Sequence, residues 1–223
     1  MGDNCLVRNE WVCAEYVTSR QEQIVAAVGE HLTITLLSVG LGLLIAFPLA
    51  LVARRSRVLR SLVMGASTVI YTIPSLALIS VLLPATGLSR TTVVVALGLY
   101  SITIIVRNVV AGLDAVPEDV VDAAQGMGFA RSRMLWRVQV PLALPSVFAG
   151  LRVATVSTIA LATIGFLVGF GGLGGLINEG LGSNFRAQVL TAVVLCVVLA
   201  VLADLLLLAV QKLMTPWARG AAS

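Results

Sequence analysis

Very few side chains in this sequence have the chemistry that catalysis or metal binding requires. The chain has a single histidine, His31, and one imidazole cannot build a metal-binding cluster. Its single lysine, Lys212, follows Gln211, whereas the phosphate-binding loop of ATPases needs Gly-Lys followed by Ser or Thr. No serine or cysteine stands beside an identifiable general base. We therefore expect no catalytic residue, no metal, no other cofactor and no ATP hydrolysis by this chain.

The three cysteines are too few for a disulfide framework, and Cys196 lies in the last apolar run. Cys5 and Cys13 share the N-terminal tail, and a helix between them would hold them ~12 Å apart, beyond the reach of a disulfide. A bond requires the tail to fold back on itself. Free thiols are the favoured interpretation, and a Cys5–Cys13 bond is the alternative.

A second set of residues carries charge or aromatic faces inside long apolar runs. Arg107, Arg152 and Asp204 lie ~8–10 Å from the same ends of their runs at ~1.5 Å per residue. The arginines could extend to the membrane surface, but the short Asp204 cannot, so we expect it to pair with Arg107 or Arg152 in an ionic cluster. Tyr71 and Tyr100 could line a path for a cation through their ring faces, although helix packing is the more common role.

The composition identifies the solvent around these residues as a lipid bilayer. Hydrophobic residues make up 58% of the 223 residues and charged residues 12%, whereas soluble domains carry about 25% charged residues. An apolar run of about 22 residues spans ~33 Å as a helix, which matches the hydrocarbon core of a bilayer. We predict an all-α polytopic membrane protein, a single domain over 1–223. Its transmembrane helices, about five in number, are expected over 32–53, 62–83, 92–113, 147–170 and 189–211.

Several local features refine this plan. Pro48 and Pro74 should kink the first two spans. Residues 14–30 have an apolar side typical of an amphipathic helix that lies along the membrane surface, and His31 then falls at the interface. Gly169, Gly171 and Gly174 have the spacing of the dinucleotide-binding fingerprint, but that fingerprint requires a preceding β-strand, and an apolar helix is predicted here instead. A tight turn at the outer face or close helix packing explains these glycines better.

Orientation follows from the basic residues, which are concentrated in alternate connections. These residues are Arg54, Arg55, Arg57 and Arg60 in the first connection, Arg131, Arg133 and Arg137 in the third, and Lys212 and Arg219 near the C-terminus. The N-terminal tail carries mostly acids. The positive-inside rule predicts that tail 1–30 is outside and that loop 114–146 and the C-terminus are cytoplasmic. The residues behind the net charge of +4 lie in short connections between apolar runs rather than in one basic patch. We therefore expect the chain to contact the lipid bilayer and not to bind nucleic acid.

Loop 114–146 has the pattern of a helix–turn–helix. Pro117 suits a helix start, Glu118 and Asp119 favour the positive end of a helix dipole, and Gly126 and Gly128 interrupt the chain. We expect Gly128 to adopt a positive φ. The second helix should carry Met134, Leu135 and Val138 and end at Pro141 and Pro145, leaving a short apolar surface that could dock into a partner's groove.

This loop resembles the coupling loop of binding-protein-dependent ABC importer permeases. Their pattern is Glu-Ala-Ala, three residues, Gly, nine residues and Ile-x-Leu-Pro. The residues here that match it, with every spacing preserved, are Asp122, Ala123, Ala124, Gly128, Val138, Val140 and Pro141. The carboxylate at Asp122 is one methylene shorter. The resemblance implies a permease of the bacterial inner membrane, two ABC ATPase subunits on the coupling loops, a second copy or a related permease chain, and an extracytoplasmic solute-binding protein.

Other segments are similar to the osmoprotectant branch of this family, which imports glycine betaine, choline and carnitine. They are 30–32, 71–75, 105–108 and 171–174. Methionine-type permeases of amino-acid transport share the glycine run, so they are the alternative. A self-sufficient secondary transporter or channel would require more acids inside the spans. An intramembrane enzyme would require a catalytic constellation. The sequence favours the osmoprotectant importer.

Overall fold

The computed structural model describes residues 4–219, and it contains helices but no β-strand within that range. Asp3, one of the acids of the N-terminal tail, lies outside the described residues. The helices are α1 (Ala14–Ser19), α2 (Gln21–Ala53), α3 (Arg57–Thr72), α4 (Ser75–Thr86), α5 (Arg90–Asp114), α6 (Glu118–Gly126), α7 (Arg131–Met134), α8 (Val140–Ala162), α9 (Leu173–Gly182) and α10 (Arg186–Met214). Within residues 4–219, four helical stretches are long and apolar enough to cross a membrane. The bent pair α3–α4, counted as one span, brings the number to five, in agreement with the prediction of about five.

The central helix of the bundle is α5, which packs against α2, α3, α4 and α8. Small residues permit the closest of these approaches. A Cβ added to Gly42 of α2 would lie 2.6 Å from Ser101 Cβ of α5, and one added to Gly112 of α5 would lie 2.6 Å from Ser146 Cβ of α8. Because lipid offers no hydrophobic drive for helix association, backbones that approach through small residues gain their stability from van der Waals contact.

The first transmembrane helix is longer than predicted. Residues 21–30 do not form part of a separate surface helix, because α2 continues from Gln21 to Ala53 as one helix of 33 residues. Only the six-residue α1 is separate, and the chain bends at Arg20. Pro48 lies inside α2 without ending it. At ~1.5 Å per residue α2 is about 50 Å long, so it exceeds the hydrocarbon thickness of ~30 Å.

The second span is broken near its middle. The helix axes of α3 and α4 differ by 99°. Ile73 is extended, with φ −69° and ψ 126°, and Pro74 cannot donate a backbone hydrogen bond. The kink predicted at Pro74 is therefore confirmed, in the stronger form of a full interruption.

The second helix of the loop does not end at Pro141 and Pro145, which corrects the prediction. Residues 131–168 form one continuous helical stretch. Its turn at Leu135–Gln139 is a π-helix, in which Val140 N–H bonds to Leu135 O. The wider turn accommodates an extra residue just before Pro141. The second helix of the loop and the fourth span therefore form one continuous helical stretch.

The connections collect at two opposite ends of the bundle. At one end, Asn9 Nδ2 donates to Asn184 O at 2.7 Å, which brings the N-terminal tail to the start of α10. At the other end, Arg60 pairs with Asp114 at 2.7 Å, which brings the basic first connection to the root of loop 114–146. The basic connections thus lie together, at the end away from the N-terminal tail.

The N-terminal tail folds back, and Cys5 and Cys13 form a disulfide with a Cα–Cα distance of 5.5 Å. The favoured interpretation of free thiols was wrong, because a turn rather than a helix precedes α1. Cys13 and Tyr16 are buried against α9 and α10, where the Tyr16 ring packs edge-on to Phe185. Burial raises the pKa of Tyr16, and the charge of Glu179 acts in the same direction, so the phenol stays neutral.

Candidate functional site

Loop 114–146 forms the expected hairpin, and Gly128 makes its turn. Helix α6 ends with two backbone hydrogen bonds: Phe129 N–H donates to Ala124 O at 3.1 Å, and Gly128 N–H donates to Gln125 O at 2.8 Å. This is a Schellman motif, which places the residue after the C-cap in the left-handed region. Gly128 accordingly has φ 79°, as predicted. Glu118 and Asp119 occupy the first turn of α6, also as predicted.

The residues of the coupling motif divide into an exposed set and a packed set. Asp122, Ala123 and Gly128 are exposed on the hairpin. Ala124 is only 2% exposed and holds α6 against the rest of the hairpin. The remaining motif residues are half-buried in the continuous helix: Val138, Val140 and Pro141. The first set is therefore accessible on the surface of the hairpin, and the second set belongs to the helix that continues into α8.

Three residues attach the hairpin to the bundle: Arg54, which the sequence analysis named only for orientation, and Asp114 and Gln139, to which it gave no role. Arg54, at the end of α2, pairs through Nε with Asp114 at 3.3 Å and donates through Nη1 to Gln139 Oε1 at 3.1 Å. Asp114 begins the hairpin and Gln139 lies at its return, so one guanidinium holds both roots. The sequence contained one indication of these contacts: Asp114, an acid at the start of the hairpin, is a possible partner for the arginine-rich first connection. Beside this contact a groove of about 480 Å³ opens between α2 and the hairpin.

The two intramembrane tyrosines meet at the break in the second span. The Tyr71 and Tyr100 rings pack edge-to-face, with centroids 5.8 Å apart and an interplanar angle of 79°. Tyr100 is buried, and its hydroxyl donates a hydrogen bond to Ile73 O at the interruption. Tyr71 is 51% exposed. Helix packing therefore accounts for Tyr100 and leaves the Tyr71 ring partly free.

The predicted ionic cluster is a pair. Arg152 of α8 forms a bidentate salt bridge with Asp204 of α10, with Nε–Oδ1 2.8 Å and Nη2–Oδ2 2.7 Å. This confirms the pairing of Asp204 with one of the two arginines. Arg107 is not part of the cluster, because it lies on the α3-facing side of α5 and donates to Thr68 Oγ1 at 2.5 Å. Asp204 lies on α10, which packs against α8 and α9.

His31 is fully buried rather than interfacial, which corrects the prediction. Its ring contacts Ile159 O at 2.9 Å through Nε2 and Gly171 O at 3.4 Å through Nδ1. It is buried because the glycine-rich turn folds onto α2: Gly172, with φ 52°, lies so close that a Cβ would be 2.7 Å from His31 Cβ. The turn also packs tightly on itself at Gly165, where a side chain would collide with Phe170 O. Both earlier explanations of the glycine run, turn and close packing, apply.

The sequence resembles known membrane transport proteins over most of its length. Residues 38–220 match the family described as "Binding-protein-dependent transport system inner membrane component". The osmoprotectant import permease protein OsmW of Salmonella typhimurium is 35% identical over 207 residues, which cover 90% of this chain and 96% of that protein. The choline transport system permease protein OpuBB of Bacillus subtilis is 33% identical over 187 residues, 84% of this chain and 86% of that protein.

Solved structures share the fold. A chain of the MetNI methionine ABC transporter in an inward-facing conformation superposes with a TM-score of 0.80 at 23% identity, covering 88% of this chain and 98% of that chain. A chain of an amino acid ABC transporter reaches a TM-score of 0.74 at 19% identity, covering 88% and 96%. At these identities the likeness establishes the fold alone.

Proposed function

This chain belongs to the family of inner membrane components of binding-protein-dependent transport systems and is the permease subunit of an ABC importer, and from that premise we propose that it imports quaternary-amine osmoprotectants. The observation that carries the substrate class is the similarity to the osmoprotectant and choline permeases over more than four fifths of each chain. A methionine importer is the second candidate, but only fold-level likeness favours it.

In this importer, ATP hydrolysis occurs on two separate ATPase subunits that dock on the hairpin 114–146. The exposed Asp122, Ala123 and Gly128 form the contact, and the continuous helix from Arg131 to Val168 carries the movement into the bundle. The helix suits this role because it continues without a break past Pro141 and Pro145, so a displacement of the hairpin is passed directly to the fourth span. A second copy or a related chain completes the path, and a solute-binding protein delivers the solute.

We place the N-terminus outside and the hairpin in the cytoplasm. Two independent features support this orientation. Basic connections cluster at the hairpin end, which the positive-inside rule assigns to the cytoplasm. At the opposite end the tail carries the Cys5–Cys13 disulfide, and such bonds persist in oxidising compartments.

The substrate proposal is tested by uptake competition in proteoliposomes that contain the permease, its ATPase and its binding protein. We expect labelled choline to accumulate only with internal ATP, and excess glycine betaine or carnitine to compete for uptake. Accumulation that is blocked by methionine and unaffected by betaine would move the chain to the methionine branch. ATP-independent accumulation would contradict the importer mechanism.

The orientation is tested by labelling intact cells with a membrane-impermeant maleimide. Cys5 and Cys13 should react only after an external reductant is added, in a Cys196→Ala background that removes the third thiol. A double Cys5→Ser/Cys13→Ser variant is the control for background labelling. Labelling that appears only after the cells are lysed would place the tail in the cytoplasm and contradict the proposed orientation.

A further inference from the structure

The break between α3 and α4 lies deep in the membrane. Tyr71 is fourteen residues from the start of α3 at Arg57, or ~21 Å, and Tyr100 is ten residues from the start of α5 at Arg90, or ~15 Å. These helices start from opposite ends of the bundle. The two estimates place the tyrosines and the extended Ile73 near the middle of the bilayer.

An interruption at this depth cannot face lipid. Irregular backbone in the hydrocarbon region is tolerated only where protein covers it or where it lines a water-filled cavity. Within this chain Tyr71, Thr72 and Pro74 are nevertheless exposed at the break. This surface therefore faces the interior between the permease chains of the proposed importer.

The chemistry of the surface suits one kind of cation. The Tyr100 ring is held by the hydrogen bond from its hydroxyl to Ile73 O, and the Tyr71 ring packs against it at a steep angle while half of the Tyr71 residue surface stays exposed. A quaternary ammonium group has no N–H to donate, so it is recognised through aromatic faces within ~6 Å of the ring centroid. The intramembrane carboxylate of Asp204 is already occupied by Arg152.

We propose that Tyr71, held by Tyr100 at the α3–α4 break, forms a transient binding site for the quaternary ammonium group of the solute as it crosses the membrane. The inference rests on the proposed function, because it concerns the same solutes. Broken helices near the midplane form solute sites in other transporters. Here the break exposes the Tyr71 ring, which supplies the cation-binding face.

The test compares variants of Tyr71 in the reconstituted importer, with labelled choline and saturating loaded binding protein. Tyr71→Phe keeps the ring face and should retain uptake within about twofold. Tyr71→Leu removes it and should slow uptake by about 2- to 30-fold, the range expected for one cation–π contact. Leu76→Ala is the matched control, because Leu76 lies on the other side of the break and is 52% exposed.

Phenylalanines with one to four ring fluorines at position 71 keep the shape and weaken the negative ring face. Uptake should fall stepwise along this series while ATPase stimulation by the binding protein persists. A flat response, or an equal loss in Leu76→Ala, overturns the site and leaves the importer function intact. If the wild-type complex transports another solute and no quaternary amine, the proposed function fails instead, together with the site.

Discussion

Replacing Gly128 with aspartate should separate ATP hydrolysis from transport while the protein stays in the membrane. Gly128 is the residue that turns the hairpin, with φ 79°, and its N–H and that of Phe129 make the two hydrogen bonds that end α6. A Cβ at this position would meet nothing within 4 Å. The cost of a side chain is therefore backbone strain, not a steric collision.

The magnitude follows from that geometry. A non-glycine residue in the left-handed region costs about 1–2 kcal/mol. If the hairpin relieves the strain by adopting a different turn, the population of the hairpin conformation that binds the ATPase falls by a factor of about 5–30. Helix α6 packs mainly on α7 and the π-turn that follows it, so the transmembrane core should be unaffected. We expect ATP-driven uptake to fall by about tenfold at unchanged membrane abundance.

Two matched variants make this prediction specific to the backbone. Gly126→Asp introduces the same charge two residues away, on the last residue of α6, where a Cβ also has open space and φ is ordinary. It should retain most of the uptake. Gly128→Asn should be intermediate, because asparagine tolerates the left-handed region better than other residues.

The assay is uptake per unit of membrane-embedded permease, with ATPase activity measured in the same vesicles. Normal uptake by Gly128→Asp would refute the reasoning outright. An equal loss in Gly126→Asp would show that charge at the docking surface, and not the turn, is responsible. Loss of the protein from the membrane would contradict the expectation that the transmembrane core is unaffected.

Two further predictions concern the bundle. Arg152→Gln should lower the melting temperature of the purified permease more than Asp204→Asn does. The first change leaves an aspartate that is too short to reach the membrane surface, whereas the second leaves an arginine that can extend to it. The melting temperature of the double variant should fall by less than the sum of the two single losses, and strictly additive losses would mean that the pair is not coupled. Gly174→Ala should destabilise the protein severely, because the added Cβ would collide with Thr163 O. Gly175→Ala should be tolerated, because a Cβ at that position would have open space around it. Equal melting temperatures for the two variants would contradict the packing at this turn.

Much of the architecture is readable from local signals. Long apolar runs must cross the bilayer as helices because only a helix satisfies its own backbone groups there. The break at Pro74 follows from a missing N–H, and the turn at Gly128 follows from the Schellman geometry that glycine favours. Each of these depends on neighbours within a few residues, so a single sequence is sufficient to predict it.

Contacts between distant segments were predicted less well. Asp204 needed a partner, but the choice of Arg152 over Arg107 depended on which face of each helix meets which neighbour. His31 was placed at the interface because its sequence position suggested it, and it is buried because the turn at Gly172 folds over it. Spacing along the chain carries no information about such packing.

The sequence by itself therefore determined that this chain crosses the membrane several times and carries, over 114–146, a helical hairpin with the motif of permease coupling loops. Hydropathy, motif spacing and turn residues are all local properties. The tertiary structure alone decided that Cys5 meets Cys13 and that Arg54 joins both roots of the hairpin. It also decided that Tyr71 and Tyr100 meet at the break. These contacts join residues whose proximity is set by how the helices pack, and helix packing is a property of the whole bundle.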